Sequence, residues 1–497
     1  MTREQVDGCL PPLAPPDAGA EDRAWIRRGG EAAVDDAGSV LWAWRVAARR
    51  TQVDVAAVLG TTQQHLSQIE KGQRPVSLEL RREMVTELGI VPEDLGLSAG
   101  QSQKLVSRDG ASPEIAASRL RWRNERRWLN QHRAELAKLV VQLYPAEHRV
   151  PGAALLAHPE WLVAEPVELG SLTVRLDEGP QTAEVDGSEP ESEATRPLCT
   201  AGLRFERYTS AIKHLSPPAL FESRPSYRLL DVSLGQRRLE FGLANYFDKI
   251  DICEALAHEV AGACMAEGLP SLPEQLRGGL PFRALVGDPF DPQRRAIIPA
   301  IATLTIRLRR YPAEPSFLLH WRDPAKVAIA GGTYGVIPTG EFQPSSVALW
   351  DRHNDFDLWR NMVREYSEEL LGTPEHDGTR SQPIDYEQWP LFQQLQEARA
   401  DGSLSAFVLG FGVDALTLST NLLTVVVIDD DVFTEVFGGA VRFNEEGEIV
   451  AIGGGMPTEG VPFTEAAVRR MLESEPMVET GAGCLALAWQ HRHALGL

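Results

Sequence analysis

Apolar residues recur at helical spacing through residues 51–72, TQVDVAAVLGTTQQHLSQIEKG, and the period breaks at a glycine. Val55, Ala56 and Leu59 predict the inner face of a short helix opened by Gln52, with Ala56 small where a second helix must approach. Gly60 permits a positive φ at the turn. Thr62 reads as the N-cap of a second helix running to about Glu70, which turns Leu66 and Ile69 inward and leaves Gln63, Gln64 and Gln68 outward. Leu78, Leu80, Met84, Val85, Leu88 and Ile90 supply closing helices. Further on, Ser112 as cap and Pro113 at an early helical position open a long helix over residues 112–144. Strands are expected at 226–234, 237–247, 300–308 and 316–321, with helices at 251–266 and 355–372. Residues 405–433 supply further strands, and helices at 463–475 and the C-terminus cover the sheet.

Two helices meeting at a tight turn make a helix-turn-helix, and outward glutamines on the second helix suit DNA. A primary amide both accepts from adenine N6 and donates to adenine N7 in the major groove. The segment resembles the Xre/Cro family, in particular its lambdoid 434-type repressors, through Thr51, Gln52, Ala56, Leu59, Gly60, Leu66, Ser67, Ile69, Glu70 and Gly72. The run Thr61, Thr62, Gln63, Gln64 with Gln68 matches the reading helix of that family. The resemblance implies a five-helix all-α domain over residues 38–97 that binds an operator as a homodimer. Gln52 would then touch phosphate, and Gln63, Gln64 and Gln68 would touch bases of A-rich half-sites. Thr62, His65 and Lys71 complete the DNA-contacting set.

Charge is uneven, about −4 over residues 1–40, +5 over 41–150 and −22 over 151–497, within a total of −21. Only the middle portion approaches a polyanion favourably. Six arginines fall between Arg119 and Arg133, interleaved with Trp122 and Trp128. They read as a solvated face on a dimerisation helix that packs its tryptophans inward, in preference to a second phosphate-contacting surface.

Composition divides the chain into a disordered tail at 1–37, the helix-turn-helix domain at 38–97, a helical connector at 110–176, an acidic linker at 177–198, an α/β module of unknown role at 199–295 and a last domain at 296–497. Cys9, Cys199, Cys253, Cys264 and Cys484 are scattered and form no CxxC pair, which argues for a reducing cytoplasm. No apolar run reaches membrane-spanning length, so no membrane partner is expected. His258, Glu254 and Glu259 lack a second histidine and read as a surface charge cluster.

The helix at 355–372 carries Trp359, Met362, Val363, Tyr366 and Leu370 along one stripe and Glu365, Glu368 and Glu369 on the adjoining face. Gathered carboxylates can hold Mg²⁺ against a diphosphate, because a hard cation prefers oxygen ligands. The order of elements from 300 onward resembles the Nudix family. Gly340, which follows Pro338 closely, matches the opening glycine of its motif, and Arg364, Glu365, Tyr366, Glu368 and Glu369 match its helical part. There are departures: Ser346 stands where the first glutamate belongs, seventeen residues separate it from Arg364 where the family has seven, and Gly372 comes one position late. The resemblance implies a Nudix-like α/β/α sandwich, with Glu365, Glu368 and Glu369 as metal ligands and Gly340 and Arg364 lining an effector pocket. Three readings stay open for those glutamates: a degenerate pocket for a nucleotide-like effector, an active Mg²⁺-dependent diphosphate hydrolase, or an acidic helix face without ligand. Together these features predict a ligand-sensing transcriptional regulator, with a DNA-tethered hydrolase and a protein-binding scaffold as alternatives.

Overall fold

The computed structural model describes residues 37–47, 50–59, 61–88, 90, 95, 112–218, 221–267, 276, 278–309, 314–322, 333–374, 382–438, 447–450 and 460–497. Residues 1–36 of the tail expected at 1–37, the turn residue Gly60 and the side chain of Leu78 lie outside the described residues, and Ala37 opens a helix. The chain forms two compact units, the first ending at Ala116 and the second running from Ala117 to Leu497, with the division inside the first turn of the helix that begins at Pro113.

The first unit contains α1 (Ala37–Ala47), α2 (Gln52–Val58), α3 (Gln63–Glu70) and α4 (Leu78–Leu88). Leu41, Val55, Ala56, Leu59, Leu66, Ile69, Leu80, Met84, Leu88 and Ile90 share one core. That core is the apolar set expected from the periodicity, extended by α1. The approach of α1 to α3 is so close that a Cβ added at Gly38 would strike the carbonyl oxygen of Ile69.

The second unit opens with α5 (Pro113–Val140), continues through α6 (Tyr208–Leu215), α7 (Tyr246–Glu267) and α8 (Pro281–Val286), and closes with α9 (Asp351–Asn354), α10 (Leu358–Leu371), α11 (Pro390–Asp401), α12 (Asp430–Phe437), α13 (Glu465–Ser474) and α14 (Glu479–Gln490). Its strands, in chain order, are β1 (Leu155–Leu156), β2 (Leu162–Glu168), β3 (Thr173–Leu176), β4 (Leu198–Thr200), β5 (Leu203–Arg204), β6 (Pro225–Ser233), β7 (Arg238–Asn245), β8 (Ala300–Leu308), β9 (Ser316–Phe317), β10 (Leu319–Arg322), β11 (Thr333–Val336), β12 (Thr339–Glu341), β13 (Leu404–Asp414), β14 (Thr420–Asp429), β15 (Gly447–Val450) and β16 (Val461–Pro462). A mixed sheet runs in the order β1-β13-β14-β8-β9-β16, with β12 on β8 and β2 on β13. Strands β14 and β8 are parallel, Val425 facing Leu304. The alternation of β14 divides the unit's interior: Leu422, Val426 and Ile428 pack into the core shared with α10 and α11, and Leu423, Val425 and Val427 into the one shared with α13 and α14. Helices thus pack against both faces of the sheet.

The expected internal boundaries of this unit do not hold. Strand β2, inside the presumed helical connector, pairs with β13. The presumed α/β module at 199–295 is tied to the last domain by backbone bonds from Leu229 N to the Ile297 carbonyl (2.8 Å) and from Tyr227 N to the Phe342 carbonyl (3.1 Å). The acidic segment at 177–197 is packed structure: Val185, Ser192, Thr195 and Arg196 are buried. Val185 N also donates to the Arg294 carbonyl at 2.8 Å, and Trp122 Nε1 donates to the Thr195 carbonyl at 3.0 Å.

Helix α5 is a second correction. Its buried residues Ile115, Arg119, Trp122, Arg126, Leu129, Leu136 and Val140, with the half-buried Arg133, follow alternating spacings of four and three. Three of the six arginines therefore face inward, where a solvated face was expected. Arg126 and Arg133 both pair with Glu254, at 3.2 Å and 2.7 Å. Arg119 donates to the carbonyls of Leu198 and Cys199. The cluster read as surface charge is also interior: His258, Glu254 and Glu259 are all buried. His258 sits between the Tyr208 hydroxyl and the Glu125 carboxylate, each at 2.9 Å.

Candidate DNA-reading helix and carboxylate-lined strand

Helix α3 begins where Thr62 accepts a hydrogen bond from His65 N at 3.2 Å, the capping expected from the sequence. Leu66 and Ile69 are buried beneath it. Gln63 and Gln64 are exposed beside the cap, Gln68 is half-buried one turn on, and Lys71 is exposed past the end. His65 is less free than a surface histidine, since its Nδ1 lies 2.7 Å from the Thr61 hydroxyl.

Gln52, at the first position of α2, donates through Nε2 to Glu70 Oε2 at 2.8 Å. The same carboxylate takes Arg45 Nε at 2.6 Å and NH2 at 2.8 Å. The hydrogen bond and charge of Glu70 raise the Arg45 guanidinium above its ordinary value. One carboxylate at the end of α3 thereby fixes α1 and orients the amide at the start of α2. Arg45 was not among the residues singled out from the sequence; its signal, an arginine on one predicted helix with a glutamate on another, has no local period.

In the second unit, α10 starts at Asp357, whose carboxylate accepts from Arg360 N at 2.8 Å, and ends at Gly372 in the left-handed region. It lays its acidic face on β12. A Cβ added at Gly340 would collide with the Glu365 carboxylate, so any larger residue there has to displace that side chain. Glu369 Oε1 accepts from Thr339 N at 3.2 Å. Glu368 is half-buried on the same helix. On β12 itself Glu341 pairs with Lys249 Nζ at 2.6 Å, and its other oxygen is buried without a hydrogen-bond partner.

Arg364, expected in an effector pocket, faces the protein interior. It is buried and donates to the Tyr386 hydroxyl (2.8 Å), the Gln343 carbonyl (2.7 Å) and Asn361 Oδ1 (3.0 Å), with Asp355 3.4 Å away. Burial opposes its charge, but Tyr386 and Asp355 outweigh burial and push its pKa up. Its place is inside the loop that leads into α10. Ser346, at the position of the motif's missing glutamate, donates to Asp351 in the same loop. The three glutamates likewise do not fit a shared Mg²⁺: Glu365 lies over Gly340, Glu369 is turned to the Thr339 amide, and among the described residues no three His, Cys, Asp or Glu side chains converge around a metal position.

Residues 43–95 match the family model described as Helix-turn-helix. The chain therefore carries a helix-turn-helix domain, which supports a DNA-binding transcriptional regulator. No curated protein matches the chain. Among the described residues no helix is long and apolar enough to cross a membrane.

Proposed function

We propose that the protein binds an operator as a homodimer, with Gln63, Gln64 and Gln68 of α3 reading adenine-containing half-sites and Gln52 and Lys71 on phosphate. Thr62 and His65 hold the start of the reading helix. The observation that carries this reading is the capped α3, with Leu66 and Ile69 buried and two adjacent glutamines exposed at its N-terminal turn. That is the part of a recognition helix which meets base edges.

The second unit, in this reading, is a Nudix-like sensor of a nucleotide-like or phosphorylated effector. Its support is the α/β/α layering and the seating of α10 on β12 through Gly340 and Glu365. An effector alters operator binding only if it binds the DNA-competent and incompetent arrangements unequally. The test is selection of duplexes from a random pool by the full-length protein, with and without a mixture of nucleoside diphosphate derivatives. An enriched palindrome whose recovery changes with the mixture supports both parts. Enrichment indifferent to the mixture removes the sensor, and no enrichment removes the operator.

A further inference from the structure

Several buried cations in this fold meet a carboxylate: Arg126 meets Glu254, Arg364 meets Asp355, Arg307 meets Asp430 and Lys249 meets Glu341. Arg283 and Arg295, whose acceptors share the loop from Ala415 to Thr420, meet neutral oxygens instead. Arg283, on α8, is 6% exposed and donates to the Tyr144 hydroxyl (2.8 Å) and to the carbonyls of Ala415 (2.9 Å) and Leu416. Arg295, in the segment leading to β8, is 1% exposed and donates only through NH2, to the Pro289 carbonyl (3.0 Å) and the Thr420 hydroxyl (3.3 Å). The Nε atoms of both are buried without a partner.

Neutral oxygens satisfy donors but leave the charge uncompensated, and an unpaired buried charge is costly. Burial first, and Arg283 among its neighbours, press the Arg295 guanidinium towards losing its proton. The carboxylates that feel this pair are committed elsewhere. Glu259 accepts from the backbone N–H groups of Phe282 (2.6 Å) and Arg283 (3.0 Å), and Asp288 accepts from Phe290 N (2.9 Å). Arg119, Arg196 and Arg228 also end on carbonyls, but only Arg283 and Arg295 reach the loop from Ala415 to Thr420 among these residues.

We infer that Arg283 and Arg295, with the Thr420 hydroxyl, hold a small oxyanion, the phosphoryl or carboxylate group of a metabolite, between α8 and the start of β14. Guanidinium forks match the geometry of such groups and gain most where water is excluded. The site stands on its own residues and does not depend on the sensor reading of β12.

The test is thermal unfolding of the full-length protein as chloride is exchanged at constant ionic strength for inorganic phosphate or for malonate. Wild type is expected to rise to a plateau with at least one of them; at a concentration a hundred times Kd the apparent unfolding constant falls about 100-fold. The anion that produces the plateau identifies the source. Arg295→Met is expected to abolish it, while Arg228→Met and Glu365→Gln retain it. Should Arg295→Met fail to fold, Thr420→Val, which keeps both charges, is expected to move the plateau to higher concentration. A wild-type response that never saturates, or one shared equally by Arg295→Met and Thr420→Val, overturns the site.

Discussion

Arg45 and Glu70 meet through two parallel N–H···O bonds, 2.6 Å and 2.8 Å long, with the Glu70 side chain only 2% exposed. The pair joins the first and third helices of the DNA-binding unit, and Gln52 shares the carboxylate. Removing one partner strands the other in a nearly dry position. Arg45→Met is expected to destabilise the unit by about 3 kcal/mol, in the range for a broken buried pair. Urea unfolding followed by circular dichroism measures it; a loss under about 1 kcal/mol would place the pair in the class of surface bridges.

Gln64→Ala is expected to weaken binding to the selected operator by roughly 1–3 kcal/mol and to relax discrimination at one base pair. Fluorescence anisotropy at fixed salt, against operators substituted at each position, reads both effects. Uniform weakening across all substituted sites would assign Gln64 to the phosphates instead.

Gly340→Ala brings a methyl group into the Glu365 carboxylate. The expected cost is about 1–3 kcal/mol, typical of forcing atoms into packed space. Glu365→Ala in the same chain is expected to recover most of it, because the obstruction is a side chain rather than backbone. A double variant no more stable than Gly340→Ala would show that the glycine is required for its backbone alone.

Stability should fall on both sides of mildly acid pH. Burial lifts the Glu259 and Glu479 carboxyls to about 7 and Asp251 to about 6. Each therefore binds its proton more tightly folded than unfolded, and stability declines as pH rises from the unfolded carboxyl range towards those values. Glu254 has the opposite sign. Burial would raise it, but Arg133 and Arg126 outweigh burial and hold it at about 2, so its contribution is lost as pH falls below about 4.5. Glu479→Gln, whose amide oxygen can still accept from Ala154 N, is expected to flatten the decline between about pH 4.5 and 7 in thermal scans. An unchanged slope would remove Glu479 from this account.

The DNA-binding unit was legible because its information is local: a small residue at a crossing, a cap three residues before the amide that donates to it, and inward apolar residues at helical spacing. The strands β8, β13 and β14 were legible for the same reason. The extent of the second unit was not. The segment at 177–197 has almost no apolar residue except Val185, and it is held by backbone bonds and buried small hydroxyls such as Ser192 and Thr195, which leave no period. Lys249 and Glu341, 92 positions apart, and Arg295 and Thr420, 125 apart, meet only once the chain is folded. Arg364 was misassigned because its motif neighbours suggest a ligand, whereas its partners Asp355 and Tyr386 lie outside that motif.

The inward arginines of α5 bear on how strongly this protein is drawn to DNA. A guanidinium already bound to Glu254 or to a carbonyl displaces no counterion from a phosphate backbone, however basic the sequence around it. Half of the arginine run therefore contributes nothing to the ionic-strength dependence of association, and the salt slope will count fewer phosphates than the chain's basic stretch suggests. The same stripe is spent inside the fold, so it cannot also serve as a seam with which α5 would zip onto another copy of itself.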